Sequence, residues 1–245
     1  MSAIHPTCAV IVIGDEVLGG RVEEVNASYL CRRLTDLGVS VRRVLIVPDE
    51  VDYIAREVAD CAKSFTYVLT SGGVGPTHDD VTMEGVARAF GVALHCHAEA
   101  ETVIREFYGE HMADSALTMA ELPEGAELVM GEGIRFPVVR VENVWVFPGS
   151  PHLMKSKFEA VREHFAGTPF VSAQVAVNVD EPEIADLLRA VQGRHGDVAI
   201  GSYPQEPGAR VKLVITLKGR KEKRVKAVRA ELLEQLEAQG VVPTV

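Results

Sequence analysis

Apolar positions along the chain follow two periods in alternation. Cys8 to Ile13 is an unbroken apolar run, the pattern of a strand covered on both faces. Ala27, Leu30, Cys31, Leu34 and Leu37 then recur at the spacing of one helix face, with Asn26 placed to cap the helix and Gly38 to stop it. Val39 to Val47 predicts a second strand, and Val51, Ile54, Ala55 and Val58 a second helix with Asp49 at its cap. Thr66 to Thr70 predicts a third strand. Val81 to Phe90, closed by Gly91, predicts a third helix with Asp80 at its cap.

Ala98 to Glu110 reads as helix, and His111 to Gly125 as irregular. Strands are predicted at Ala126–Met130, Phe136–Val141 and Val144–Phe147, the first two a hairpin around Gly131-Glu132-Gly133. A helix follows from His152 to Phe165. The composition shifts at Gly167-Thr168-Pro169, which predicts two domains, 1–168 and 169–245. The second reads as strand, helix, strand, strand, helix, a small α+β lobe. In the first, strands alternate with helices, which predicts an α/β domain with a mainly parallel sheet. Such sheets bind ligands where loops leave the carboxyl ends of strands. Gly14-Asp15-Glu16, Pro48-Asp49, the stretch after Thr70 and Pro148-Gly149-Ser150 all leave strands at that end.

At 245 residues and 47% hydrophobic, the chain has enough apolar content for a buried core. The net charge of −10 argues against nucleic-acid partners. Residues 169–245 carry 11 basic and 10 acidic side chains, so the acidity belongs to the first domain. Cys8, Cys31, Cys61 and Cys96 form no C-x-x-C pair and read as reduced core residues of a cytoplasmic protein. No apolar run is long enough to span a membrane. His95, His97 and His111 read as surface or hydrogen-bonded residues. Gly193-Arg194-His195-Gly196 matches an RNA-binding loop only in its glycines, and joins the wrong elements for one.

The chemistry concentrates in Ser71-Gly72-Gly73-Val74-Gly75-Pro76-Thr77-His78-Asp79-Asp80. A strand leads into this loop and a helix follows it. Glycines bring backbone N–H groups close to a ligand, and the helix adds the positive end of its dipole, which makes an anion site. Asp79 and Asp80 would repel a phosphate unless a cation lay between, and Mg²⁺ suits one or two carboxylates plus phosphate oxygens. The plainer reading gives Asp80 a capping role and Gly72 and Gly73 a turn.

Gly14-Asp15-Glu16-Val17-Leu18, Val47-Pro48-Asp49-Glu50, Ser71 to Thr82 and Phe147-Pro148-Gly149 resemble, in that order, the motifs of the molybdopterin-binding-like domain family. Its members include molybdenum-cofactor biosynthesis proteins and the competence/damage-inducible protein A group. His78, Arg135-Phe136-Pro137 and Gly201-Ser202-Tyr203-Pro204 look most like the N-terminal part of eukaryotic-type FAD synthases. The resemblance implies a three-layer α/β/α fold, a homo-oligomer, and functional aspartates at Asp49 and Asp80. It also implies a metal-dependent pyrophosphatase that cleaves FAD or ADP-ribose. Where relatives often carry a basic residue before Met-Ala, this chain has Thr118, which leaves Arg135 or Arg21 to supply that charge.

The expected mechanism places Ser71, Gly72, Gly73, Val74, Gly75, Pro76, Thr77, Gly149 and Ser150 around the diphosphate. Asp49, Asp79 and Asp80 hold the metal, and Glu16 stands off as general base. Two alternatives stay open: a molybdopterin-binding or adenylyl-transfer protein, and a non-catalytic binder of FAD or another nucleotide.

Overall fold

The structure, a computed structural model, describes residues 5–244. It divides into two compact units, Met1–Gly167 and Thr168–Val245. In the first, the elements are β1 (Thr7–Ile13), α1 (Asp15–Leu18), α2 (Asn26–Asp36), β2 (Ser40–Val47), α3 (Val51–Ser64), β3 (Tyr67–Ser71) and α4 (Thr82–Phe90). Then come β4 (Leu94–Cys96), α5 (Ala98–Tyr108), β5 (Glu121–Pro123), β6 (Glu127–Val129), β7 (Val138–Val141), β8 (Val144–Phe147) and α6 (Pro151–Val161).

Six strands form one sheet in the order β2-β1-β3-β8-β7-β6. β2, β1, β3 and β8 run parallel, and β7 and β6 close the edge as an antiparallel hairpin. The mainly parallel α/β fold expected from the alternation is what the chain adopts. β1 explains why its run is uninterrupted. Ala9, Ile11 and Ile13 pack with α3 and α4 residues such as Ile54, Val58 and Val86. Cys8, Val10 and Val12 point the other way, toward Leu30 and Leu34 of α2 and Met154 and Phe158 of α6. Period-two alternation thus feeds two cores, one on each face. Between β1 and β3 the strand order reverses direction, and the loops after those strands part there.

Three predicted helix caps are not made. The N-cap residues of α2, α3 and α4 are Val25, Glu50 and Val81, and none makes a side-chain cap bond. Asn26, Asp49 and Asp80 have other partners, described below. The stretch read as irregular, 111–125, contains β5, which pairs antiparallel with β4.

The second unit consists of β9 (Val171–Val177), α7 (Glu181–Arg194), β10 (Val198–Pro204), β11 (Leu213–Gly219), α8 (Glu222–Ala238) and β12 (Pro243–Thr244). Its antiparallel sheet has the order β10-β11-β9-β12. Alternate residues of β9 and β11 join Ile184, Leu187, Val228 and Leu232 from the two helices in one core. Asp180 and Glu183 form a capping box at the start of α7. His195, in the glycine-flanked tetrapeptide, lies between Glu231 (2.6 Å) and Arg224 (3.0 Å) of α8. That segment therefore locks α7 to α8.

Candidate anion-binding site

Four loops converge at the carboxyl end of the parallel strands. At Gly72 (φ 118°) an added Cβ would stand 2.0 Å from the carbonyl oxygen of Ile13. At Gly73 (φ 61°) it would stand 2.5 Å from Thr82 Oγ1 and 3.5 Å from Asp49 Oδ1. At Gly149 it would meet the Cα of Gly72 at 3.3 Å. Only residues without side chains let the ends of β1, β3 and β8 approach so closely. Thr82 sews the loop to α4: its hydroxyl donates to Gly72 O (2.8 Å) and its amide to Gly73 O (3.0 Å).

The expected anion cradle ran from Gly72 to Thr77, and the structure narrows it. The Gly72 amide donates to Phe147 O (3.1 Å), Pro76 has no N–H, and the Thr77 amide donates to Asp80 Oδ2 (2.9 Å). Among the described residues, the amides of Gly73, Val74 and Gly75 donate to no protein acceptor. Three neighbouring free donors on a strand-to-helix loop are the arrangement that an anion can accept from. Ser71 drops out of the ligand set. It is buried, its hydroxyl accepts from Asn26 Nδ2 (3.0 Å) and donates to Pro148 O (3.2 Å). Asn26 Nδ2 also donates to Gly149 O (2.7 Å), so one buried amide ties the start of α2 to two site loops. Its place was misread as a cap because an Asn before a helical run carries the same signature. Glu24 instead accepts from the Ala27 amide (2.8 Å).

The carboxylates are spread out. Asp80 Oδ2 accepts from both the Thr77 amide and the Thr77 hydroxyl. Asp79 is exposed, and the Thr77 side chain and its own backbone hold it below the usual value. Asp49 Oδ2 accepts from the Asp15 amide (2.8 Å), joining the loops after β1 and β2. Among the described residues no group of three His, Cys, Asp or Glu side chains could hold a metal ion. The expected triad of Asp49, Asp79 and Asp80 is therefore not a metal cage: Asp79 and Asp80 are held at Thr77, whereas Asp49 is tied to the Asp15 amide. What fits a cation is narrower. Asp49 Oδ1 accepts no hydrogen bond beside Gly73, and ligand oxygens and water would have to complete the shell.

Asp49 has its pKa raised by burial first, opposed by the Asp15 amide, and raised further by the charges of Glu16, Asp15 and Asp79. A raised carboxyl binds a proton in the folded state that the unfolded chain releases, so its ionisation costs stability above the unfolded value. Asp49→Asn keeps an acceptor for the Asp15 amide and removes that cost. It is expected to raise the melting temperature of the ligand-free protein at pH 7 by about 1–2 °C. The gain closes as the pH falls below about 4, where both forms are neutral. Equal melting at pH 7 would show that the crowding of charge there is absent.

A cavity of about 810 Å³ opens beside Gly72 to Gly75. Its walls are mostly apolar: Ile104, Phe107, Met119, Leu122, Phe136 and Val139. Phe107 packs edge-on against Phe136 (4.7 Å) and Tyr108 (4.9 Å), with the Arg135 guanidinium 5.8 Å above its ring. Glu16, Asp80, Gly149 and Ser150 also line it, whereas Asp49, Asp79, Pro76 and Thr77 do not. Pro76 and Thr77 face a second recess of about 370 Å³ with Thr118. Of the two proposed cations, Arg135 reaches the large cavity and Arg21 is not among its lining residues. The sequence reading missed the aromatic wall, since Phe107 and Phe136 come from a helix and a loop far apart in the chain.

Residues 9–167 match the model of the probable molybdopterin binding domain. The chain belongs to that family. Residues 169–245 match the FAD synthase middle domain. A protein of Archaeoglobus fulgidus is 38% identical over 217 residues, 89% of this chain and 92% of that one. A probable FAD synthase of Caenorhabditis briggsae is 33% identical over 260 residues, 94% of this chain but 49% of its own length. This member of the molybdopterin-binding-domain family thus spans about half the length of the FAD synthase relatives it matches. Among solved structures, the protein CinA of unknown function from Thermoplasma acidophilum is 30% identical with a TM-score of 0.60. It covers 65% of this chain and 99% of its own. The resemblance drawn from the motifs is borne out. The hydrolase expectation is not: relatives covering nearly the whole chain are named for making FAD, and the second unit matches a domain of the same enzyme. Among the described residues no helix is long and apolar enough to cross a membrane.

Proposed function

We propose that this chain binds a flavin nucleotide and serves an adenylyl transfer that joins FMN and ATP into FAD. The observation that carries the reading is the junction of an aromatic-walled 810 Å³ cavity with three free amides at Gly73, Val74 and Gly75. That volume suits a ring-bearing small ligand, and the free amides suit its phosphate. The names of the FAD synthase relatives supply the reaction class. In the transfer, an FMN phosphate oxygen attacks the α-phosphorus of ATP. The new P–O bond forms as the bond to diphosphate breaks, and diphosphate leaves with the electron pair.

In this reading the glycine-loop amides orient the FMN phosphate, and the apolar wall holds the ring and excludes water. Asp49 stands beside Gly73, and Glu16 lines the cavity. A divalent cation held by Asp49 and ligand oxygens would screen the phosphate charge when bound. The family description favours a second occupant of the same cavity, a molybdopterin.

The test is equilibrium binding of FMN, ATP and molybdopterin, followed by incubation of FMN with ATP and Mg²⁺ while FAD and diphosphate are measured. FMN binding with FAD and diphosphate in equal amounts is expected. FMN binding without FAD limits the chain to holding the flavin. Failure to bind FMN overturns the reading, and tight pterin binding in its place selects the second.

A further inference from the structure

Two cations line the cavity with no carboxylate partner among the described residues: Arg135, which lies over the Phe107 ring, and Lys157. Lys157 lies on α6, about 9 Å along the helix from its start at Pro151. Its Nζ donates to Pro137 O at 2.7 Å, and Lys157 lines the cavity together with Phe136 and Pro137. Among the described residues no carboxylate pairs with it. The acids of the cavity, Glu16 and Asp80, belong to the glycine-loop end. Tyr108 of α5, Arg135 before β7 and His152 of α6 are the other titratable groups on its walls. On its own helix Lys155 lies over Tyr29, and Glu159 is taken by Arg33, Tyr29 and Arg162.

A half-buried ammonium with a single carbonyl acceptor keeps two N–H donors and most of its charge unanswered, which is costly unless a ligand answers them. The phosphate already has its donors at Gly73 to Gly75. We infer that Lys157 recognises the electron-rich N1–C2=O edge of the flavin ring, placing that edge at the α6 side of the cavity and the phosphate at the glycine loop. This rests on the proposed flavin binding and adds the orientation of the ring. A cation at this edge also draws electron density toward N1, a recognised means of tuning a flavin. Burial lowers the lysine to about 8, so its charge is lost just above physiological pH and a bound flavin would hold the proton on.

Three probes separate the contributions: riboflavin has the ring without phosphate, ribose 5-phosphate the phosphate without ring, and FMN both. Lys157→Met is expected to weaken riboflavin and FMN about tenfold, or ~1.4 kcal/mol, and to leave ribose 5-phosphate unchanged. Lys157→Arg should regain part of the loss. In the unaltered protein, riboflavin affinity should fall as the pH rises through about 8 and hold steady below it, a readout that needs no variant to fold. Wild-type riboflavin affinity in the Met variant, or a loss of ribose 5-phosphate equal to that of FMN, overturns the inference while flavin binding stands. Absence of FMN and riboflavin binding in the unaltered protein removes the proposed function itself, and the orientation with it.

Discussion

Gly72→Ala is expected to destabilise the first unit by about 3–5 kcal/mol and to abolish FMN binding. Two effects add. The backbone at φ 118° is one that side-chain-bearing residues rarely adopt, and the new methyl would lie 2.0 Å from Ile13 O and 3.1 Å from its carbon. Neither contact is with a flexible side chain, so relief requires the ends of β1 and β3 to separate. That movement breaks the Gly72 amide bond to Phe147 O and the Thr82 hydroxyl bond to Gly72 O, and the free amides of Gly73 to Gly75 lose their arrangement. Gly91→Ala is the control. Gly91 also has a positive φ, 69°, but nothing lies within 4 Å of its added Cβ, so only about 1 kcal/mol should be lost and FMN should still bind. Thermal melting with FMN titration reads both. A Gly72→Ala protein that melts like the Gly91→Ala protein would show that β1 and β3 can part without strain.

Asn26→Ala should cost about 2–3 kcal/mol and lower FMN affinity about tenfold. The side chain is 6% exposed and its one amide group serves two acceptors from separate loops. Removing it leaves Ser71 Oγ and Gly149 O without that donor, and the loop after β8 is then held to the end of β3 only by the Ser71–Pro148 and Gly72–Phe147 bonds. Gly149 and Ser150 then shift relative to the glycine loop, which is how a change at a buried residue reaches the ligand. Asn26→Asp is expected to be worse than Ala. It sets a carboxylate against a carbonyl and a hydroxyl oxygen, with a charge that has no partner there. Denaturant midpoints and FMN titrations should give the order wild type, Ala, Asp. An Asp variant as stable as the wild type would mean that the amide does not donate as described.

Much of the architecture was legible because it depends on near neighbours in sequence. The unbroken run of β1 requires two covered faces. The helical spacing of Ile54 and Val58 requires one. Strand after helix after strand leaves a parallel sheet as the simplest outcome, and its four carboxyl-end loops were identified correctly as converging. Polar side chains were harder, since a cap and a long-range tie look alike along the chain. Asn26, Asp49 and Asp80 each precede a helical run, and each bonds elsewhere: to residues 45 and 123 positions away, to a residue 34 away, and to Thr77 within the loop.

The sequence by itself determined most of the elements, the sheet type, the family and the glycine loop between β3 and α4, because hydrophobic period and glycine placement act locally. Only the tertiary structure decided which of that loop's amides stay free, which carboxylates are tied to backbone, and which distant residues meet at the cavity. Phe107, Phe136 and Lys157 share a wall there without any shared pattern in the chain. The physical reason is competition: a donor or a charge is available to a ligand only after every protein group within reach has taken its partner, and that reach is set by folding.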